Sequence, residues 1–511
     1  MSLEVECGWT LLRALAVALM ATPLAALLVA AIKAATPLLR RGMILALAVP
    51  FLTPGFVVGY SYSNLTLDLV RTPLLNELFY DLLLLIEVVP VGVLVLGMAP
   101  PPPLGPTARW CTRLTPNQRL GHVASCRPLR QLGYGPARNL VPAFGLMALL
   151  VFHEFEIASL FRVIAGGRLT PASWSNALFE LIALKQLGQA SPWNLWAYGW
   201  LPLGCSLMLL TPVLLLTWTA IGRDGPMPPD PGAHRSAAAS RAACLWLSTA
   251  LLLGTIIPLG SLVQDGVPRL SALGGDNQHQ LGRTLIHAGR SLLPAILVAS
   301  IAAGLALWLL KHKRLGLLLL LAIPGLLGGL ALGLVLTFCV LALAEPLGLG
   351  QSAAGLVLGQ ALWLLPRAAL LLVLLAVVPR RESMHLARLL QQAPAGPQRT
   401  AGWQLLWQLA GRRMAWMMGL LCWWAYLELT LNELLAPPQW LSVAHRMYQQ
   451  MHFGRNAALS STTLVVVVVP LAVTALLVTL SRMIPGPSSL APPPPPAPPT
   501  APAPAPPTEN A

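Results

Sequence analysis

The chain has 511 residues, of which 56% are hydrophobic and 10% charged, and it carries a formal net charge of +15. Apolar runs of about 20 residues recur along it; lipid lets such runs satisfy their backbone only as helices, so a soluble globular enzyme is excluded. In a soluble protein the positive charge would point to nucleic acid, but here the basic residues cluster in loops, so no nucleic-acid partner is expected and the charge reads as a topology signal.

Residues 1–8 hold Glu4 and Glu6 and no basic residue, whereas Lys33, Arg40 and Arg41 follow the first apolar run. A secretory signal has its positive charge in front, so this run reads as a retained span with its amino end outside. Spans are predicted at about Trp9–Ile32, Met43–Asn64 and Leu74–Met98, followed by a long loop with Arg109, Arg113, Arg119, Arg127, Arg130 and Arg138. Span four, about Leu140–Val163, carries Glu154 and Glu156; span five is about Trp193–Ile221, and the polar stretch 222–242 reads as a linker. Spans six to nine are predicted at about Cys244–Val263, Thr284–Leu310, Leu315–Leu343 and Ala353–Val378. A second basic loop, Pro379–Arg413, leads to spans ten and eleven at about Met414–Leu435 and Thr463–Leu480. Residues 485–511, rich in Pro and Ala, are expected to be a disordered, partly extended cytoplasmic tail. Eleven spans with the amino end outside place 22 of the 33 Lys and Arg residues in or beside cytoplasmic loops, as positive-inside orientation requires.

The stretch Leu421–Gly454 is the most informative. It starts as an apolar helix, places Glu428 and Glu433 near its outer end, breaks at Pro437-Pro438 and resumes as an amphipathic segment with His445, Arg446, Tyr448 and His452. A carboxylate in a lipid-embedded helix is costly unless it faces a bundle interior or a water-filled path. Glu154 stands 274 residues before Glu428, and the same offset links Thr10 to Thr284, Pro50 to Pro324, Gly55 to Gly329 and Gly59 to Gly333. One register across separate helices implies a duplication. Because the repeats begin six spans apart they share one orientation, which generates a pseudo-twofold axis along the membrane normal. The expected fold is therefore an all-α polytopic membrane protein of about eleven helices: a first module at 1–221, a linker at 222–242, a second module at 243–484 and the tail at 485–511.

The residues ELTLNELLAPPQWLSVAHRMYQQMHFG, the duplicated halves and a basic loop before the penultimate helix of each half resemble the fused two-module permease subunits of bacterial ABC importers of the ferric-iron, thiamine and phosphonate type. The resemblance covers roughly Trp9 to Met483. It implies an inner-membrane importer subunit that binds no cofactor of its own, partnered by two ATPase subunits that hold ATP and by a periplasmic solute-binding protein. It also implies a cytoplasmic coupling helix in each half, with a Glu-Ala-Ala signature and a following Gly. The matching loops read Pro116-x5-His122-Val-Ala124 and Pro379-x5-His385-Leu-Ala387-Arg388, so His replaces the Glu twice, and Leu129 or a neighbour and Gln391 stand where the Gly belongs. The spacing is kept and the acid is not.

On physical grounds alone, a short amphipathic helix between basic residues can dock in an acidic, partly apolar groove; the plainer alternative is a positive-inside anchor beside anionic lipid. Glu154, Glu428 and Asn432 line a translocation path or end helices in interfacial water. Arg446, Tyr448 and His452 meet a binding protein or an anionic solute, or form an interfacial amphipathic helix. Glu87 and Arg367 pair across the bundle or reach toward the interface. The Pro and Gly landmarks at 50, 55 and 59 read as kinks and close helix contacts. The seven cysteines, with no CxxC spacing, read as isolated thiols, and no metal site is expected. No phosphate-binding loop or catalytic constellation is legible, which predicts a transport subunit rather than an enzyme. An ion-coupled secondary transporter and a permease-derived scaffold that has lost its ATPase remain alternatives.

Overall fold

A computed structural model of the chain describes residues 3–98, most of 140–177, most of 201–211, then 237–271, 276–312, 352–377, 381–392, 396–428, 431–432, 442–452 and 460–468, with a few isolated positions besides. These residues are almost entirely helical. Among the described residues, five helices are long and apolar enough to cross a membrane: Glu4–Ala34, Pro73–Gly97, Leu140–Ser159, Ser240–Gln264 and Gly282–Lys311. A bent pair, Pro37–Phe51 with Gly55–Ser63, makes a sixth if its two limbs count as one span. Spans five, eight and eleven fall mostly outside the described residues, and the expected tail at 485–511 lies wholly outside them.

The chain forms two compact units, residues 1–378 with 417–472 and residues 379–416 with 473–511. The first begins with α1 (Leu3–Ala34), α2 (Pro37–Leu52), α3 (Gly55–Asp68) and α4 (Pro73–Met98). Pro37 opens α2 at a first-turn position, where a missing N–H costs nothing. Arg40 of α2 donates to the carbonyls of Ile32, Lys33 and Ala35 at 3.1, 3.0 and 3.4 Å, closing the unpaired end of α1. The expected single span at Met43–Asn64 is instead broken: α2 and α3 meet at 70° across Thr53-Pro54. Proline has no N–H to continue the helix and disfavours helical geometry in the residue before it.

Next come α5 (Leu140–Phe152), α6 (Glu156–Phe161) and a short antiparallel ribbon of β1 (Val163–Ala165) and β2 (Arg168–Thr170), in which Val163 faces Thr170. The ribbon departs from the all-helical expectation; β-branched Val163, Ile164 and Thr170 favour extended backbone. Helix α7 (Ala237–Leu251) continues through a π turn at Leu252–Ile256 into α8 (Ile257–Ser271). The expected linker at 222–242 is thus already helical from Ala237. Further along lie α9 (Asp276–Lys311) and α10 (Ala353–Val377).

Small residues set the packing. Ala14, Ala18, Ala21 and Ala25 form a buried stripe on α1, which packs on α4 and α5. A Cβ on Gly92 of α4 would lie 2.5 Å from the Met147 sulfur and 3.0 Å from the Ala25 methyl, so only glycine fits that crossing. Helix α9 packs on α10 through Ala295, Ala299, Ala302 and Ala306, a stripe with the same +4, +3, +4 spacing. Hydroxyls join α7–α8 to the bent pair: Thr53 meets Thr255 at 3.0 Å, Ser261 donates to Ser61 at 3.0 Å and Tyr62 donates to the Leu253 carbonyl at 2.8 Å.

In the second unit, α11 (Arg381–Gln392) packs on α12 (Pro397–Leu406), and a π turn at Trp407–Gly411 leads into α13 (Arg412–Leu427). Helix α13 carries the chain back into the first unit, which also contains α14 (Val443–His452).

Candidate functional site

Two carboxylates sit just after the ends of helices α5 and α13, and each binds the backbone of the next turn. Glu154 accepts N–H bonds from Ile157 at 2.5 Å and Ala158 at 3.2 Å; Glu428 accepts from Leu431 at 2.9 Å and Asn432 at 3.2 Å. The first N–H groups of a helical turn have no intrahelical acceptor, and a side-chain oxygen three or four residues back supplies one. Both carboxylates therefore hold a turn, with the same third and fourth residues as donors. The Asn432 side-chain amide also donates to the Glu428 carbonyl.

Glu154 is tied further into the first unit. The Tyr80 hydroxyl donates to it at 2.6 Å, and its carbonyl accepts the Ser175 hydroxyl at 2.9 Å. Tyr80 lies beneath Arg13, whose guanidinium is 5.0 Å from the ring centre. Buried Arg13 donates from Nε to Glu77 at 2.7 Å and from Nη2 to the same oxygen, with Asp81 at 3.5 Å. Trp9 adds an indole N–H to Glu77 at 3.2 Å. Sequence reasoning passed over Arg13, Glu77 and Asp81. The signal was present, because each lies within or beside a run of otherwise apolar residues, where ionisable groups persist only when paired.

The two acidic turns approach one another. Glu156 accepts the Phe56 N–H at 3.2 Å at the amino end of α3, where the helix dipole favours an anion. Gly55 makes this possible: a Cβ there would stand 3.0 Å from the Glu156 oxygen. Glu156 lies within electrostatic reach of Glu428, as does Arg367 of α10. Arg367 stacks over Trp363 at 3.7 Å and stands 5.6 Å from the Trp424 ring centre, and Phe51 meets Trp424 edge to face at 6.3 Å. The arrangement joins the bend between α2 and α3, the turn after α5 and the turn after α13 in one polar knot, in which Glu428 is buried and Glu154, Glu156 and Arg367 are half-buried.

A parallel detail lies beyond each turn. The backbone N–H of Trp174, which opens a short helical stretch, donates to Thr10 at 3.3 Å; that of Val443, which opens α14, donates to Ser291 at 3.0 Å. Thr10 and Ser291 are 281 residues apart, as are the alanine stripes of α1 and α9. Ser291 lies two turns further along α9 than Thr284, the residue picked out by the sequence offset. Ser442 caps α14 through the His445 N–H at 3.1 Å, and His445 contacts Gln449 at 2.6 Å. Arg446 is half-buried beside this cap; burial first, and then Arg283, lower its guanidinium below the ordinary arginine value. Tyr448 and His452 share α14 with it.

In α11, His385 and Arg388 are exposed and Ala387 is fully buried. A Cβ on Gly402 of the facing helix would lie 2.6 Å from the Gln391 nitrogen, so α12 approaches the backbone of α11 closely at that point. Pro116, His122, Ala124 and Pro379 lie outside the described residues. Among the described residues, no three His, Cys, Asp or Glu side chains gather as a metal site.

No protein-family model matches the chain, and neither a curated protein nor a solved structure matches it.

Proposed function

We propose that the chain is the membrane-spanning subunit of an ABC-type importer, built from two like-oriented modules and moving a small solute by alternating access driven by separate ATPase subunits. The observation that carries this reading is the recurrence of one turn: a glutamate at a helix end accepting the third and fourth N–H groups beyond it, at Glu154 and again at Glu428. The matched alanine stripes of α1 and α9, the hydroxyl contacts at Thr10 and Ser291, and the internal prolines Pro90 and Pro366 of α4 and α10 support the same duplication. In this reading the full fold has about eleven spans. The amino end faces the periplasm, the carboxyl end faces the cytoplasm, and the inner membrane is the site of action. The two acidic turns flank the path, and α14 with Arg446, Tyr448 and His452 faces the solute-binding protein. The exposed His385 and Arg388 of α11 meet an ATPase subunit, which holds the ATP. Ferric iron, thiamine or a phosphonate is the cargo class that the resemblance implies.

A second reading, an ion-coupled carrier, draws on the buried Arg13–Glu77–Asp81 group, since ionisable residues inside helical bundles mark ion pathways. One experiment separates the two. The chain is expressed with an ATPase encoded by a neighbouring reading frame, and solute uptake is followed in vesicles. Co-purification and uptake that ends when ATP is removed, with the proton gradient intact, support the importer. Uptake that follows the gradient and ignores ATP overturns it.

A further inference from the structure

Around the bend between α2 and α3, charge is met by hydrogen bonds on one side only. Glu154 accepts from Tyr80 and two backbone N–H groups, Glu156 from Phe56, and Glu428 from Leu431 and Asn432. Arg367 is held differently. Among the described residues its one hydrogen bond runs from Nη1 to the Trp363 carbonyl at 3.5 Å, and it makes no ion pair with Glu87, the partner that its sequence position suggests. Rings fix it instead. Its guanidinium carbon stands 3.7 Å from the centre of Trp363, one turn back on α10, and 5.6 Å from that of Trp424 on α13, against which Phe51 of α2 packs. Stacking uses the flat faces of a guanidinium and leaves the N–H bonds, which lie in its plane, pointing past the rings. All four side chains are half-buried rather than sealed in the core.

We propose that Arg367 is an oxyanion-binding residue, whose N–H edge takes a phosphate, phosphonate or carboxylate group while Trp363 and Trp424 hold the guanidinium flat. That the oxyanion belongs to a transported solute rests on the proposed function. An arginine inside a helical bundle is costly until its donors are met, and a planar oxyanion edge meets two of them at once through charge-assisted bonds. The nearby carboxylates already have donors, so the site lacks an acceptor and not a cation. Glu428, within electrostatic reach, turns its oxygens to the N–H groups of its own turn. The depth of Arg367 favours a solute over a lipid headgroup. It lies ten residues from the nearer end of the 25-residue α10, about 15 Å along the helix axis.

The test uses the full chain in detergent, labelled with the arginine reagent phenylglyoxal and read residue by residue by mass spectrometry. Inorganic phosphate, methylphosphonate and acetate are the probes, against chloride at equal ionic strength. At least one oxyanion is expected to protect Arg367 saturably, while the exposed Arg388 and Arg399 label equally throughout. Equal labelling of Arg367 with and without oxyanion overturns the proposal, and so does an Arg367 that stays unlabelled in chloride, because no solute then reaches it. This arm needs no substitution, so misfolding of a variant cannot mimic either outcome. Binding of the protecting probe, followed by titration calorimetry, is expected to vanish in Arg367→Gln and to weaken about tenfold in Arg367→Lys, which keeps the charge and loses the paired N–H geometry. Unchanged binding in Arg367→Gln overturns the proposal. Protection by added phosphatidylglycerol and by none of the soluble probes overturns the solute assignment and makes the site one for a lipid headgroup. The importer reading fails separately: protection of Arg367 together with uptake that ignores ATP keeps the site and rejects the importer, and ATP-driven uptake without protection does the reverse.

Discussion

Glu154 and Glu428 each replace solvent for two backbone N–H groups, so their first duty is structural. Removing such a cap costs about 0.5–2 kcal/mol. Glu154→Ala and Glu428→Ala are each expected to lower the thermal midpoint in detergent, and Glu154→Gln, which keeps an acceptor oxygen, to lower it less; equal losses from Ala and Gln would contradict the capping role. The buried ion pair behaves differently. Arg13→Met leaves the half-buried Glu77 and Asp81 without their cation and is expected to lower the thermal midpoint, whereas the triple change to apolar residues at 13, 77 and 81 is expected to recover much of the loss. A thermal-shift comparison of the single and triple variants checks the order.

At the scale of elements, glycine decides two crossings. Gly92→Leu forces a side chain into Met147 and Ala25 and is expected to separate α4 from α1 and α5, read as a large drop in folded yield. Gly402→Leu meets the backbone of α11 and is expected to open the α11–α12 hairpin while the first unit stays folded, measured as increased proteolysis within 381–411. Helix existence was largely legible in the sequence, because long apolar runs leave the backbone no other way to pair its hydrogen bonds. The break in the second span was less so: Pro50 and Gly55 announced a kink, but the 70° turn depends on Pro54 and on Glu156 receiving the amino end of α3. The β ribbon was signalled only by Gly166-Gly167 between the short segments Val163-Ile164 and Arg168–Thr170, a local cue that a span-by-span reading overlooks. Glu154 and Glu428 were legible as expensive residues, but their role as caps was not, because a cap is defined by where the following N–H groups point. Gly402 could not be paired with Gln391 from sequence, since nothing in a helix's own pattern names the helix across from it.

For the whole molecule, the proposed coupling surface on α11 carries a further prediction. If His385 and Arg388 meet an acidic groove, Arg388→Glu is expected to reduce ATPase co-purification and to weaken its dependence on salt, while changing stability by no more than about 0.5 kcal/mol, as exposed substitutions usually do. Unchanged capture would place the contact elsewhere.

Arg40 deserves a last mechanical consequence. By donating to three carbonyls at the foot of α1, its guanidinium ties the corner between α1 and α2. A push on the residues around 36–41 is therefore expected to carry the two arms together, with the bend at Thr53-Pro54, beside the acidic knot, as the next place along the chain where it can be taken up.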